Sequence, residues 1–308
     1  MATRANLQRL DRELRESWEI DLDSLEDPGW WERLSAGLPP DLVAEFQVRH
    51  EAYVQESDSA AAEAAFYDLV ADPRLLGPVH SHRRSVILDA ATLVDDLLEN
   101  QPGIRDVIDV GCHAGYMAAW WARREGLRVV GTDSSRAALE LGIRRCRDLG
   151  RQVQLLEADL VPSDLHGTAD LIVAIDVLPE NPIAGRYGLR RLASGLSETG
   201  WLVVSSGHPL DLAWGDLAEL GQEFAAMGTG FVSAHPLGGL SRLDLNDPTG
   251  ESTRLTQVAL VMRRGCTREL PRDVMSRALS DEEAFSAYLS RSEVPNLEKT
   301  WAWFQAQL

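Results

Sequence analysis

The sequence predicts an α/β protein built on a doubly wound, mostly parallel sheet with an antiparallel last strand, plus a helical N-terminal region and a helical C-terminal extension. Three observations predict it. Between residues 105 and 206 five short apolar runs alternate with segments able to form helices, and that alternation calls for a parallel sheet covered on both faces. Ahead of it, apolar residues recur with the 3.6-residue period of helices. After it, two further runs read as the strands of a late hairpin, followed by more helical pattern. The expected segments are 1–100, 101–266 and 267–308.

In chain order, Leu7, Leu10, Leu14 and Trp18 make the first helical stripe. DPGWW and GLPPD mark turns, with Pro39–Pro40 opening a helix near Asp41. Val86, Ala90, Leu93 and Leu97 make another stripe, ended by QPG at 101–103. The runs RDVIDVG (105–111), LRVVGTD (127–133), VQLLEAD (153–159), ADLIVAID (169–176) and GWLVVSS (200–206) are the expected strands. Helices are expected at 114–125, 135–149 and 184–197, with a short helical stretch near 160–168. Leu217, Leu220, Phe224 and Met227 form one more stripe, and GFVSAHPL and TRLTQVALVMRR are the hairpin strands around LNDPTGEST. Two helices follow from about 268, the last carrying Leu297, Trp301, Phe304 and Leu308 on one face.

Composition removes several functions. The chain of 308 residues has 48 acidic and 30 basic residues, a net charge of −18. Lys299 is its one lysine, so there is no glycine loop followed by Lys for a nucleotide phosphate, and a Schiff-base role would rest on a residue near the C-terminus. The charge is −12 over residues 1–100, −1 over 101–200 and −5 over 201–308. No basic face for a nucleic acid is visible. No run approaches a membrane span, and MATRANLQRLDREL lacks the apolar core of a signal peptide. Cys112, Cys146 and Cys266 have neither disulfide nor zinc spacing. A cytoplasmic protein without a metal is expected.

Ligands of such sheets bind beyond the carboxyl ends of the strands. There the first run ends Asp109-Val110-Gly111-Cys112-His113-Ala114-Gly115, the next three ending at Asp133, Asp159 and Asp176. Four successive strand tips thus carry an acid, at intervals of 24, 26 and 17 residues. A glycine loop between strand and helix lets the backbone approach a ligand and presents helix N-terminal amides. The G-x-G-x-x-G frame of dinucleotide folds fails twice, because His113 and Tyr116 occupy the second and third glycine positions.

The ordered set resembles the class I S-adenosylmethionine-dependent methyltransferases over roughly residues 104–264. The resemblance implies S-adenosyl-L-methionine as cofactor. Asp109, Gly111, His113 and Gly115 would form the loop around its methionine moiety, with His113 in place of the usual middle glycine. Asp133, followed by Ser134, would take the ribose hydroxyls, and Asp159 with the backbone of Leu160 the adenine amine. Asp176 would stand at the fourth strand tip, opening onto the reaction centre. The implied activity is methyl transfer to a small molecule, at oxygen. Asp176-Val177-Leu178-Pro179 lacks the D/N-P-P-Y/F motif of members that methylate amide or exocyclic nitrogen.

A base is needed only for an acceptor protonated near neutral pH. His208, His235 and Asp176 are the candidates, with Glu180 a further option. Arg83 or Arg84 of VHSHRR would reach the methionine carboxylate or lie on a solvated helix face. Tyr116 borders the loop, Trp120–Trp121 are expected to pack on the sheet, and Cys112 is not a nucleophile. The N-terminal helices are expected to cover the pocket, and the terminal helices are candidate contacts for a homodimer. Two alternatives stay open: other chemistry on the same fold, such as decarboxylation or cyclisation, and a non-catalytic partner protein.

Overall fold

The computed structural model describes residues 4–21, 30–55, 60–81, 84–178, 182–205, 217–237 and 257–267. Six helices precede the sheet: α1 (Arg4–Trp18), α2 (Trp30–Ala36), α3 (Pro40–Gln55), α4 (Ala60–Val70), α5 (Pro73–Ser81) and α6 (Arg84–Asn100). There follow β1 (Asp106–Val110), α7 (Tyr116–Trp121), β2 (Arg128–Asp133), α8 (Arg136–Asp148), β3 (Val153–Glu157) and β4 (Ala169–Ile175). The described chain ends with α9 (Pro182–Gly195), β5 (Leu196–Ser205), α10 (Leu217–Ala226), β6 (Thr229–Leu237) and β7 (Gln257–Arg264). The expected helices from about 268 lie outside the described residues.

The strands form one seven-stranded sheet in the order β3-β2-β1-β4-β5-β7-β6. β4 runs parallel to β1 and β5, β2 runs parallel to β3, and β7 is antiparallel to both β5 and β6. The doubly wound sheet with an antiparallel last strand is therefore present. Val107, Ile108, Leu171, Ile172, Val173 and Leu202 are all buried, as the near-continuous apolar runs of two-sided strands require.

The described elements divide into two compact units. One holds α1–α5, α7, β2, α8 and β3; the other holds nearly all of α6 with β1, β4, α9, β5, α10, β6 and β7. In the first, Leu10, Leu14 and Trp18 of α1 are buried as their spacing requires, and Leu42, Phe46, Phe66, Leu69, Val70 and Leu75 form a core cluster across α3, α4 and α5. Arg151 to Glu13 and Arg145 to Glu19, each at 2.8 Å, connect α1 and its end to the α8 region.

Several boundaries differ from the sequence expectation, each for a local reason. α7 has six residues instead of the expected twelve-residue segment: His113 (φ 49) and Gly115 (φ 74) hold left-handed turns ahead of it, and Gly126 (φ 81) turns the chain into β2. The stretch near 160–168 contains only a 3-10 turn, Ser163–Leu165. β5 starts at Leu196 rather than Gly200, because a register shift opposite Ala169 and Leu171 absorbs the intervening residues. The most buried stripe of α6 is Ile87, Ala91, Val94 and Leu98, one position on from the expected one.

Candidate functional site

The residues expected to bind cofactor fall in both units. Gly111, His113, Gly115, Ser134, Asp133 and Asp159 belong to the first, and Asp109, Leu160 and Asp176 to the second.

In the first unit the loop after β1 is folded back by its own backbone. The Gly115 N–H donates to the Cys112 carbonyl at 2.8 Å, and the Cys112 N–H donates to the Thr132 carbonyl of β2 at 3.0 Å. Gly115 requires glycine twice over. Its φ is 74, and a Cβ there would lie 3.0 Å from Leu155 of β3. Packing of α8 is as close, since a Cβ at Gly142 would overlap the Ala114 carbonyl oxygen.

Asp133, only 9% exposed, is the organising charge. Its Oδ2 accepts the His113 N–H at 2.7 Å and its Oδ1 accepts the Ser135 N–H at 2.8 Å. The strand-tip acid thus holds both the glycine loop and the start of α8. The Ala158 N–H donates to the Asp133 carbonyl at 2.9 Å, which sets the exposed Asp159 one residue beyond the β2 tip contact. Ser134 is exposed.

Helices α4 and α5 bring groups that the motifs did not single out. Asp68 of α4 accepts the Ser135 hydroxyl at 2.6 Å, while Ser135 caps α8 by accepting the Ala138 N–H. Glu63 of α4 is exposed over much of its surface, yet its carboxyl is raised above the usual range, by desolvation first and then by the negative charges of Asp133 and Asp159. The carboxylates of Asp133 on β2 and Asp159 beyond β3 thus both act on Glu63 of α4.

The His113 ring is buried, 4% exposed. Its Nε2 lies 3.1 Å from the Tyr67 carbonyl and its Nδ1 lies 3.1 Å from Nε2 of His80 on α5. His80 Nδ1 is in turn 3.3 Å from the Tyr116 hydroxyl, and Tyr116 meets Trp18 edge-on. Burial pushes the His113 imidazole below its ordinary value, against the opposing effects of the Asp133 charge, the Tyr67 carbonyl and the Asp68 charge. His80, Tyr67, Asp68 and Glu63 went unmarked in the sequence because their partners lie far along the chain. The segment VHSHRR, singled out for Arg83 and Arg84, also carries His80.

In the second unit Asp109 is buried on β1 opposite Val173 of β4, and Leu160 is buried. Asp176 sits just past β4 with φ 59, its N–H donating to the Ser205 carbonyl and hydroxyl, each at 3.2 Å. His235 pairs with Ala259 in the β6–β7 ladder. His208, Arg83 and Glu180 lie outside the described residues. Trp120 and Trp121 are buried as expected. Cys112 and Cys146 are buried as well, and burial pushes the Cys146 thiol up to about 11, so it is no nucleophile. Among the described residues there is no group of three or more His, Cys, Asp or Glu side chains arranged to hold a metal, and no helix is long and apolar enough to cross a membrane.

A seven-stranded sheet with its last strand antiparallel, and a glycine loop bound to the acid that closes the second strand, define a class I methyltransferase fold. Residues 107–200 match the family model described as methyltransferase domain. No curated protein matches the chain in sequence. Among solved structures it is similar to magnesium protoporphyrin IX methyltransferase from Synechocystis PCC 6803 with bound SAM (17% identity, 84% of this chain and 96% of that one, TM-score 0.42). It is also similar to a S-adenosylmethionine-dependent methyltransferase from Clostridium acetobutylicum ATCC 824 (10%, 58% and 91%, TM-score 0.45). A third likeness is to the cyclase SpnF (16%, 56% and 80%, TM-score 0.43).

Proposed function

We propose that the protein transfers a methyl group from S-adenosyl-L-methionine to a small-molecule acceptor, at oxygen. The observation that carries this is the Asp133 carboxylate holding the loop of Gly111, His113 and Gly115 by a 2.7 Å bond, within a methyltransferase domain. The residues fit the cofactor. An ionised carboxylate offers about four acceptor positions, and the loop and α8 amides use one on each oxygen of Asp133, leaving capacity for ribose hydroxyls. Asp159, exposed beyond β3, and the Leu160 backbone would take the adenine amine. Gly111, His113 and Gly115 would surround the methionine moiety, with Asp109, Ser134 and Asp176 completing the set.

When bound, the cofactor supplies a methyl group on a sulfonium, an excellent leaving group. The chain's own work is to orient and desolvate. The N-terminal helices would exclude water above the pocket. Their acidic character, −12 over residues 1–100, favours an acceptor that is not a polyanion. The absence of a D/N-P-P-Y/F motif after β4 favours oxygen over amide nitrogen. For an acceptor that must lose a proton, His208, His235 and Asp176 are the groups to test as base.

Calorimetry with S-adenosylmethionine tests the binding step, and no heat at millimolar cofactor would overturn the proposal. Incubation with phenols, carboxylic acids and aliphatic alcohols, followed by assay for S-adenosylhomocysteine, tests transfer. Binding without any demethylated cofactor would instead favour other chemistry or a non-catalytic role. Full retention of turnover in His208→Ala would remove it as the base.

A further inference from the structure

We propose that Tyr116, His80 and His113 form a one-directional hydrogen-bond relay that positions the glycine loop for the cofactor, with His80 and His113 as positioning residues. This rests on the proposed function above for its ligand, though not for its geometry. The direction follows from one group. The Tyr67 carbonyl can only accept, so His113 Nε2, 3.1 Å away, carries a hydrogen. A neutral His113 then has a bare Nδ1, and His80 Nε2, at 3.1 Å, donates to it. A neutral His80 has a bare Nδ1 in its turn, which accepts the Tyr116 hydroxyl at 3.3 Å. Every proton along the line is assigned by a single main-chain oxygen of α4.

The line ends where the loop is strained. His113 holds φ 49, a left-handed conformation that a residue bearing a Cβ adopts at some cost. A glycine would adopt it freely but would have no ring to tie it. The imidazole supplies that tie, joining the loop to α4 through Tyr67, to α5 through His80 and, through His80, to Tyr116 of α7. Its own N–H remains on Asp133. The same residue therefore fixes the loop's backbone to the ribose-side acid and its side chain to the covering helices.

The relay works only in its neutral form. A proton on His113 Nδ1 places N–H against N–H between the two rings unless the line reverses, a proton on His80 Nδ1 turns the Tyr116 hydroxyl from donor to acceptor, and either leaves a cation at a buried site. Among the described residues, Asp133 of β2 and Asp68 of α4 act on His113, and Tyr116 of α7 adjoins His80. Asp133 in turn raises the carboxyl of Glu63 on α4. The two aspartates favour the cation, and desolvation outweighs them at His113.

The test uses the full chain with two readouts. Nitrogen-15 NMR of the ligand-free protein near neutral pH should show both His80 and His113 as neutral Nε2–H tautomers; an Nδ1–H tautomer or a charged ring at either position overturns the relay. Titration with S-adenosylmethionine should show wild-type affinity falling only as pH drops below 6.5, the ordinary imidazole value, because burial holds His113 under it. His80→Phe, which keeps a ring but donates nothing, and His113→Gly should each bind about tenfold more weakly at the upper pH, the scale of one buried hydrogen bond. Both should also lose the acid limb. Wild-type affinity and an unchanged acid limb in His80→Phe would reduce the pair to packing and overturn the relay. If the wild type binds no cofactor, the proposed function fails and the tautomers alone decide the relay.

Discussion

Asp133 accepts two backbone N–H groups while only 9% exposed, so its loss would be felt before any cofactor arrives. Asp133→Ala leaves two buried donors without an acceptor and should lower stability by about 2–3 kcal/mol, besides weakening cofactor binding. Chemical denaturation without ligand separates the two effects; unchanged stability would contradict the loop-holding role. Glu63 predicts the reverse sign. Its carboxyl is raised by desolvation and by Asp133 and Asp159, so its ionised form is disfavoured in the fold. Stability is lost as pH rises through 4.5, the ordinary value, toward the raised one. Glu63→Gln should therefore melt higher than wild type near pH 7.5, the gain shrinking toward pH 4. The strand-tip acids were legible because a run of apolar residues ending in Asp marks its own position. The groups that bind them were not: His80 reaches His113 across 33 positions and Asp68 reaches Ser135 across 67, and no periodicity records such a contact.

At the scale of elements, close backbone approach sets the geometry around the loop. α8 lies on the loop through Gly142, where a Cβ would overlap the Ala114 carbonyl, and α5 passes the turn after α1 through Gly77, where a Cβ would overlap the Glu19 carbonyl. Gly142→Ala should cost about 1–3 kcal/mol by overpacking, with a lower melting temperature as the measurement. A variant as stable as wild type would mean that the α8 contact gives way easily. Strands β1 to β4 were readable to within two residues, because apolar runs between turns have sharp ends, whereas β5 begins at Leu196, ahead of its apolar run. Helix lengths were less so. The pattern over 114–125 promised three turns, but left-handed His113, Gly115 and Gly126 confine α7 to Tyr116–Trp121. On α6 the buried Asp89, Thr92 and Asp95 disguise which stripe faces inward.

For the whole molecule, acid should loosen the fold by a traceable route. His113 titrates below its ordinary value of 6.5, so above that pH neither folded nor unfolded chain is protonated there and its contribution is complete. As pH falls below 6.5 the unfolded chain takes the proton first, and stability declines until the folded value is passed. Unfolding free energies of wild type and His113→Gly should therefore converge between about pH 7 and pH 5. A constant difference would show that His113 does not titrate on unfolding. The net charge of −18 was legible from composition, but how the acidic N-terminal region folds was not: α1–α5 share one compact unit with the glycine loop, β2 and β3.

That shared unit bears on how the protein could be shortened. A fragment starting just ahead of β1 would keep every strand-tip acid and every loop glycine. It would lack the Tyr67 carbonyl, His80 and Asp68, the groups that receive His113 and Ser135, and it would bare the faces that Leu10, Leu14 and Trp18 help to close. The motif would survive intact in a polypeptide unable to hold it in shape. Helices α1–α5 thus belong to the unit that holds the loop, and trimming them should yield aggregate in place of a smaller folded protein.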